Sequence, residues 1–333
     1  MRRAITPPPP ADGGTTQARA RTPFAAAPGT EDSLPESFPA LVVRQDGDRF
    51  VRTREQRSPA DLPEGDAVIR VAWSGVNYKD ALSAAGNTGI TNSFPHVPGI
   101  DAAGTVVSSS QQRLKPGDEV MIQHAHFGTT HDGGFSGCVR VPARWAVPCP
   151  AGLSLRQCMA FGTAGFSAAL ALQALLDANL RPTRGQILVT GAERGAGSLA
   201  VALLAAAGYT VTAATGRTDV GSYISGLGAM DIVSYAELTA EPDAPLLPGR
   251  WAAAIDTAGG EILCGALRST QPRGIVTCSG MTAGPYLATT VYPFIMRGIR
   301  LFGVDSINCT PAVRSKAWQL LSENKQLLEL PGL

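Results

Sequence analysis

Histidine, cysteine and aromatic residues are all scarce in this chain of 333 residues, which holds four histidines, six cysteines and 6% Phe, Trp and Tyr. The cysteines (Cys138, Cys149, Cys158, Cys264, Cys278 and Cys309) are scattered, with no C-x-x-C pair and no secretory pattern. A disulfide scaffold and a cysteine-built metal lobe are therefore disfavoured, and reduced thiols in a cytoplasmic setting are expected. A charge of one sign is also missing. With 28 Lys and Arg against 27 Asp and Glu, the formal net charge is +1, and no basic run or stripe appears. Neither nucleic acid nor an anionic membrane surface is implied as a partner. Long hydrophobic runs are absent too: the longest, at 168–176 and 200–207, are alanine-rich and fall short of the roughly 20 residues that cross a bilayer.

The first 38 residues lack the apolar spacing of a folded segment. Pro7 to Pro10, Gly13, Gly14 and the arginines Arg2, Arg3, Arg19 and Arg21 stand among small residues, the composition of a disordered extension. An arginine-rich, acid-poor start also fits an organelle transit peptide, but the prolines spoil an amphipathic helix.

Glycine, by contrast, is plentiful and purposefully placed. A short apolar strand (187–189) runs into the turn Gly191-Ala192-Glu193-Arg194-Gly195-Ala196-Gly197, a helix over 198–207 follows, and Gly208 stops it before a second strand at 210–214. This order is a βαβ dinucleotide-binding unit, in which a pyrophosphate approaches backbone that carries no Cβ and meets free N–H groups at a helix start. The end of the second strand indicates which nucleotide. An unphosphorylated ribose calls for Asp or Glu about 20 residues after the glycines, whereas a 2′-phosphate calls for hydroxyls and a guanidinium. Thr215 and Arg217 stand there, so NADPH is the expected cofactor.

Elsewhere the pattern divides in two. Strands are expected at 40–44, 67–73, 100–107, 119–122 and 134–141, punctuated by Pro98-Gly99, Pro116-Gly117 and Gly133-Gly134, as in a twisted, barrel-like β unit. A helical pair over 154–161 and 164–179 leads into the βαβ unit, and further strands at 252–256, 275–279 and 300–304 extend a parallel sheet. An all-β region followed by an alternating one predicts an α/β protein of two domains, with the active cleft between them at the carboxyl ends of the sheet strands.

Several segments together resemble the medium-chain dehydrogenase/reductase superfamily, and within it the zinc-free acrylyl-CoA reductase and quinone oxidoreductase-like branch. They are residues 73–82 (WSGVNYKDAL), 97–106 (VPGIDAAGTV), 162–168 (GTAGFSA), the glycine turn, 254–259 (AIDTAG) and 303–306 (GVDS). The resemblance implies a Rossmann-type parallel sheet domain plus a GroES-like twisted β-barrel catalytic domain. It divides the chain into a 1–38 extension, a 39–160 catalytic domain, a 161–310 NADPH-binding domain, and a returning catalytic segment at 311–333. Relatives continue for several dozen residues beyond that point, so a truncated carboxyl end is expected. A homodimer paired through the nucleotide domain is also implied.

No metal is expected. Zinc relatives place a cysteine where this chain has Asn77-Tyr78 and Gly-His-Glu where it has Gly99-Ile100-Asp101. His124, His126 and His131 with Asp132 form the one histidine cluster, and alternate strand residues plus a loop seldom converge as ligands.

The chemistry that the resemblance implies is hydride transfer to the β-carbon of an alkene conjugated to a carbonyl, followed by protonation at the α-carbon. Acrylyl-CoA or another short 2-enoyl thioester is the expected substrate, and quinone reduction is the alternative. Asn77, Tyr78, Asp80 and Asp101 are the candidate catalytic residues. Asn77 can donate to a carbonyl oxygen, and Tyr78 or water can supply the proton. Asp80 has an equal reading as a helix cap, Lys79 as a solvated side chain, and Asp101 as a group orienting its neighbours through charge-assisted hydrogen bonds. Thr163, Gly280, Asp305 and Asn308 join Gly191, Ala192, Gly195, Ala196, Gly197, Thr215 and Arg217 as candidate cofactor-binding residues. Arg140, Arg144, Arg297 and Arg300 are candidates for the phosphates of a CoA ester. Glu193 and Arg194 replace the family's usual Ser and Gly, and a carboxylate beside a pyrophosphate is repulsive. A nucleotide-binding protein without catalysis is the competing class.

Overall fold

The computed structural model describes residues 34–333. The extension read at 1–38 lies outside the described residues up to 33; Leu34 packs against Phe38 and Leu62, and the first strand begins at Phe38.

The amino-terminal half is built on antiparallel pairing. Strands β1 (Phe38–Asp46) and β2 (Arg49–Arg57) form a hairpin whose register runs from Phe38 opposite Arg57 to Asp46 opposite Arg49. A five-stranded sheet follows, ordered β6-β3-β4-β5-β7 from β3 (Ala67–Ser74), β4 (Asp101–Ser109), β5 (Glu119–Gln123), β6 (Cys138–Val141) and β7 (Ala146–Pro148). Its inward residues, among them Ile69, Val106, Val120, Ile122 and Val141, close one apolar core with Phe127 from the loop after β5. Between β3 and β4 stands a short helix, α1 (Tyr78–Ala84).

The carboxyl-terminal half is a six-stranded parallel sheet in the order β10-β9-β8-β11-β12-β13. Its strands are β8 (Ile187–Thr190), β9 (Val211–Thr215), β10 (Asp231–Ser234), β11 (Trp251–Asp256), β12 (Thr270–Cys278) and β13 (Arg300–Gly303). Every residue of β8, β9 and β11 is buried, as expected of apolar strands covered by helices on both faces. The order reverses between β8 and β11, so a crevice opens there beyond the carboxyl ends of the strands. Helix α3 (Gly195–Ala206) leaves directly from β8; α4 (Gly221–Gly226), α5 (Tyr235–Thr239), α6 (Gly260–Arg268) and α7 (Tyr292–Arg297) complete the cover.

One helix joins the halves. Helix α2 (Leu155–Asp177) starts at a capping box between Ser154 and Gln157, bends at Gly162, and lies against β4 and β5 of one sheet and α3 of the other. The helical pair read from the sequence is present as two helical segments that meet at the kink at Gly162. Its 23 residues are apolar enough to cross a membrane, with mean hydropathy 1.5, but 61% of that stretch is buried. The cause is packing: Phe161, Phe166, Leu172 and Leu175 join a core that runs from Ala103 and Met121 to Ile187 and Val201. Helix α8 (Pro311–Glu323) returns onto α2, stacking Trp318 on Phe166 with ring centroids 5.8 Å apart.

Candidate functional site

The bend in α2 lies against Asp101. Gly162 has φ +51°, a conformation that L side chains avoid, and a Cβ there would lie 2.9 Å from Asp101 Oδ2. The break frees the Thr163 N–H, which donates to Asp101 Oδ2 at 2.8 Å, while the Thr163 hydroxyl donates to Oδ1 at 2.6 Å. Asn77 Nδ2 donates to Oδ2 at 2.8 Å and Gln123 Nε2 to Oδ1 at 3.0 Å. Asp101 is fully buried, and its carboxylate is met by donors from α1's start, β5 and α2. The arrangement converts a buried charge into a hub that fixes three elements.

Asp80 has a similar role in the first turn of α1. It accepts the backbone N–H of Asn77 at 2.7 Å and of Ile100 at 2.8 Å. Burial pushes its carboxyl above the ordinary range, and the two N–H donors partly offset this. Asp80 and Asp101 are thus both engaged by hydrogen-bond donors of the protein itself. Tyr78, the first residue of α1, is 59% exposed.

The crevice itself is a recess of about 370 Å³, counting its open mouth, lined by Lys79, Gln123, His124, Thr163, Ser306 and Ile307 with Ile100, Ala125 and Thr129. Gln123 is a crevice residue that sequence reasoning misses; its one signal is a polar position closing the apolar strand β5. The three histidines 124, 126 and 131 surround Trp145, with His124 stacked on the indole at 4.1 Å. Among the described residues, no group of three or more His, Cys, Asp or Glu side chains is placed to hold a metal. Burial, then the nearby His126, Arg144 and Arg314, hold the His124 ring below its ordinary pKa.

Asp305 and Asn308 act on their own loop. Asp305 accepts the N–H groups of Ile307 and Asn308 at 2.9 Å and the Asn308 side chain at 2.9 Å, which presents Ser306 and Ile307 to the crevice. Of the four candidate arginines, Arg297 is spent on the carbonyls of Arg268, Thr270 and Leu247, and Arg140 on those of Leu62 and Pro59. Arg144 is exposed close enough to His124 to bias its titration, and Arg300 is exposed on edge strand β13.

The glycine turn lies at the carboxyl end of β8, beside the switch point of the parallel sheet. A Cβ on Gly197 would stand 2.0 Å from the Gly191 carbonyl oxygen, so only glycine lets α3 start this close to the turn. Gly195, Ala196 and Gly197 form the first turn of α3, with N–H groups facing the turn's open side. Below, the Thr190 hydroxyl donates to Asp256 at 2.6 Å, and the Thr257 hydroxyl donates to the Thr190 carbonyl at 2.7 Å. These bonds lock β8 to β11 at the switch point. Gly280 follows β12 against Thr257. At the end of β9, Thr215 Oγ1 accepts the Arg217 N–H at 3.0 Å, and the Arg217 guanidinium pairs with Asp219 at 2.6 and 3.0 Å. A bare backbone cradle, a helix start and a guanidinium one strand away fit a phosphorylated dinucleotide.

A parallel dinucleotide-binding sheet, joined through a bent helix to an antiparallel barrel with a crevice between, defines a two-domain nicotinamide-dependent oxidoreductase. The alcohol dehydrogenase GroES-like domain family matches residues 63–151. The acrylyl-CoA reductase AcuI of Ruegeria pomeroyi is 42% identical over 298 residues, 89% of this chain and 90% of that protein. A putative quinone oxidoreductase, YhfP of Bacillus subtilis, is 40% identical over 287 residues, 86% of this chain and 87% of that protein. Among solved structures, the yhdH oxidoreductase of Salmonella enterica in complex with NADP has a TM-score of 0.83 and 42% identity, covering 88% of this chain and 89% of that one. The Bacillus subtilis yhfP protein with NAD bound has a TM-score of 0.84 and 41% identity, covering 88% and 90%. The chain belongs to the medium-chain dehydrogenase/reductase superfamily, in its acrylyl-CoA reductase and quinone oxidoreductase-like branch.

Proposed function

We propose that the protein is an NADPH-dependent reductase of small activated alkenes, with acrylyl-CoA or another short 2-enoyl thioester as substrate. The observation that supports this most directly is the crevice lining. Lys79 is the one Lys or Arg side chain among the lining residues, none of which is acidic, and it stands with the hydrogen-bonding groups of Thr163 and Gln123. When bound, the reduced nicotinamide supplies the hydride that reaches the β-carbon. What this chain's residues add is orientation and charge. Lys79 faces the thioester oxygen, where negative charge grows as the enolate forms, and the Asp101 hub holds Thr163 and Gln123 in place around it. The α-carbon is then protonated from water at the open mouth or from Tyr78. The pyrophosphate would be held by the Gly191–Gly197 turn and the start of α3, with Thr215 and Arg217 at the adenosine end.

Quinone reduction is the second reading, supported by the apolar Ile100 and Ile307 on the lining and by the similarity to a putative quinone oxidoreductase. Consumption of NADPH with acrylyl-CoA and with a simple quinone, run side by side, separates the two. Rapid thioester turnover is expected; turnover of the quinone alone would select the second reading, and turnover of neither would leave a nucleotide-binding protein without catalysis.

Two further features belong to this proposal. The six free thiols support a reducing, cytoplasmic setting. Pairing of two copies is supported by the exposed Phe302 on edge strand β13 and by the exposed Ile295 and Met296 on the preceding helix α7. Light scattering on the purified protein is expected to give twice the chain mass.

A further inference from the structure

The turn between β8 and α3 contains two residues that a pyrophosphate does not call for. The Glu193 side chain is 4% exposed, its Oε2 has no hydrogen-bond partner, and its Oε1 lies 3.4 Å from Arg194 Nε. An enclosed carboxylate oxygen without a donor is costly unless something else supplies one. The surroundings indicate what that is. The Glu193 charge is felt by Arg217 at the end of β9 and by the hydroxyl of Tyr235 at the start of α5, and the Tyr235 ring packs against Gly216. In this strand order, the end of the second strand is the adenosine side of a dinucleotide site, while the recess of Lys79 and Thr163 is the nicotinamide side. Glu193 therefore stands at the adenosine ribose.

Both guanidiniums at that end already have acidic partners, Arg194 in Glu193 and Arg217 in Asp219. Two cations balanced by two anions make a ribose site with little net charge. A phosphate finds donors whose charge is compensated, and a ribose hydroxyl finds an acceptor. We infer that Glu193 is a specificity-determining residue: it accepts an adenosine ribose hydroxyl and opposes a 2′-phosphate, so that the chain binds NADH alongside NADPH with no more than about tenfold discrimination. This inference rests on the dinucleotide-dependent reading above.

The test is a titration of wild type and Glu193→Gln with NADPH and with NADH, followed by nicotinamide fluorescence, with thermal melting as the check on folding. Wild-type dissociation constants within about tenfold of each other are expected. Glu193→Gln is expected to tighten NADPH about fivefold and weaken NADH by a similar factor, because the amide keeps the volume and loses the charge. A wild-type preference for NADPH beyond about tenfold, or a Glu193→Gln effect that is equal for both nucleotides or absent, would overturn the inference. Wild type binding neither nucleotide would instead remove the dinucleotide reading on which it rests.

Discussion

The Thr163 hydroxyl donates to the Asp101 carboxylate at 2.6 Å, joining the bend of α2 to the first residue of β4 across 62 positions of chain. The two bonds from Thr163 tie α2 to the barrel half, and those from Asn77 and Gln123 hold the same carboxylate from within that half. Asp101→Asn puts an amide N–H against groups that are themselves donors, and is expected to cost about 3 kcal/mol of stability. Turnover is expected to fall about a hundredfold through displacement of Thr163 and Gln123. Denaturant unfolding and steady-state kinetics check the two effects separately.

The glycine turn makes a contrast within three residues. A Cβ on Gly197 meets the Gly191 carbonyl at 2.0 Å, whereas one on Gly195 meets only the Ala164 methyl at 3.3 Å. Gly197→Ala is expected to weaken nucleotide binding at least tenfold and to cost about 2 kcal/mol, by pushing α3 from the turn. Gly195→Ala is expected to leave stability within about 0.5 kcal/mol of wild type. Thermal melts and fluorescence titration give both comparisons.

His96 is buried, 3.6 Å from Asp132, whose carboxylate also takes Arg57 at 2.7 Å and the Val97 N–H at 3.0 Å. Burial outweighs the neighbouring carboxylate and lowers the imidazole pKa from its ordinary 6.5. The folded state then binds fewer protons than the unfolded chain, so stability is complete above about pH 6.5 and is lost as the pH falls below it. His96→Gln is expected to flatten the fall in melting temperature between about pH 7.5 and about pH 5.5. The comparison isolates His96, because the raised carboxyls of Asp80 and Asp256 and the lowered His124 ring are common to both proteins.

Lys79 and Tyr78 are neighbours on α1 with different surroundings: the lysine lines the recess, and the tyrosine is exposed. Lys79→Met is expected to lower kcat on a 2-enoyl thioester about a hundredfold with nucleotide affinity within about twofold. Tyr78→Phe is expected to stay within about threefold of wild type if water is the proton source. A solvent isotope effect on kcat, measured for both variants, shows which one touches proton transfer.

Much of the frame was legible because its signals are local. The turn from Gly191 to Gly197 and the fully buried strands β8, β9 and β11 announce a dinucleotide sheet through apolar runs and glycine spacing alone. Strand β2 was not legible: RFVRTREQR is largely exposed and charged, and it becomes a strand through its register with β1 and the Arg44–Glu55 pair at 2.8 Å. Nor could the sequence show what the kink at Gly162 faces, since the Asp101 carboxylate beside it is distant along the chain. In the site, Asn77, Asp101 and Thr163 stand out one by one in the sequence, and their convergence on a single carboxylate appears only in three dimensions. The pairing of Arg217 with Asp219 depends on side-chain geometry that composition does not carry.

The central claim is that the crevice delivers a hydride to the β-carbon of a short enoyl thioester. Turnover of acrylyl-CoA with NADPH carrying deuterium at the transferable C4 position, followed by mass spectrometry and NMR of the thioester product, tests it directly. The account predicts one deuterium, on the β-carbon, with the α-carbon hydrogen drawn from solvent. Deuterium at the α-carbon, deuterium absent from a product that still forms, or no thioester product at all would contradict it.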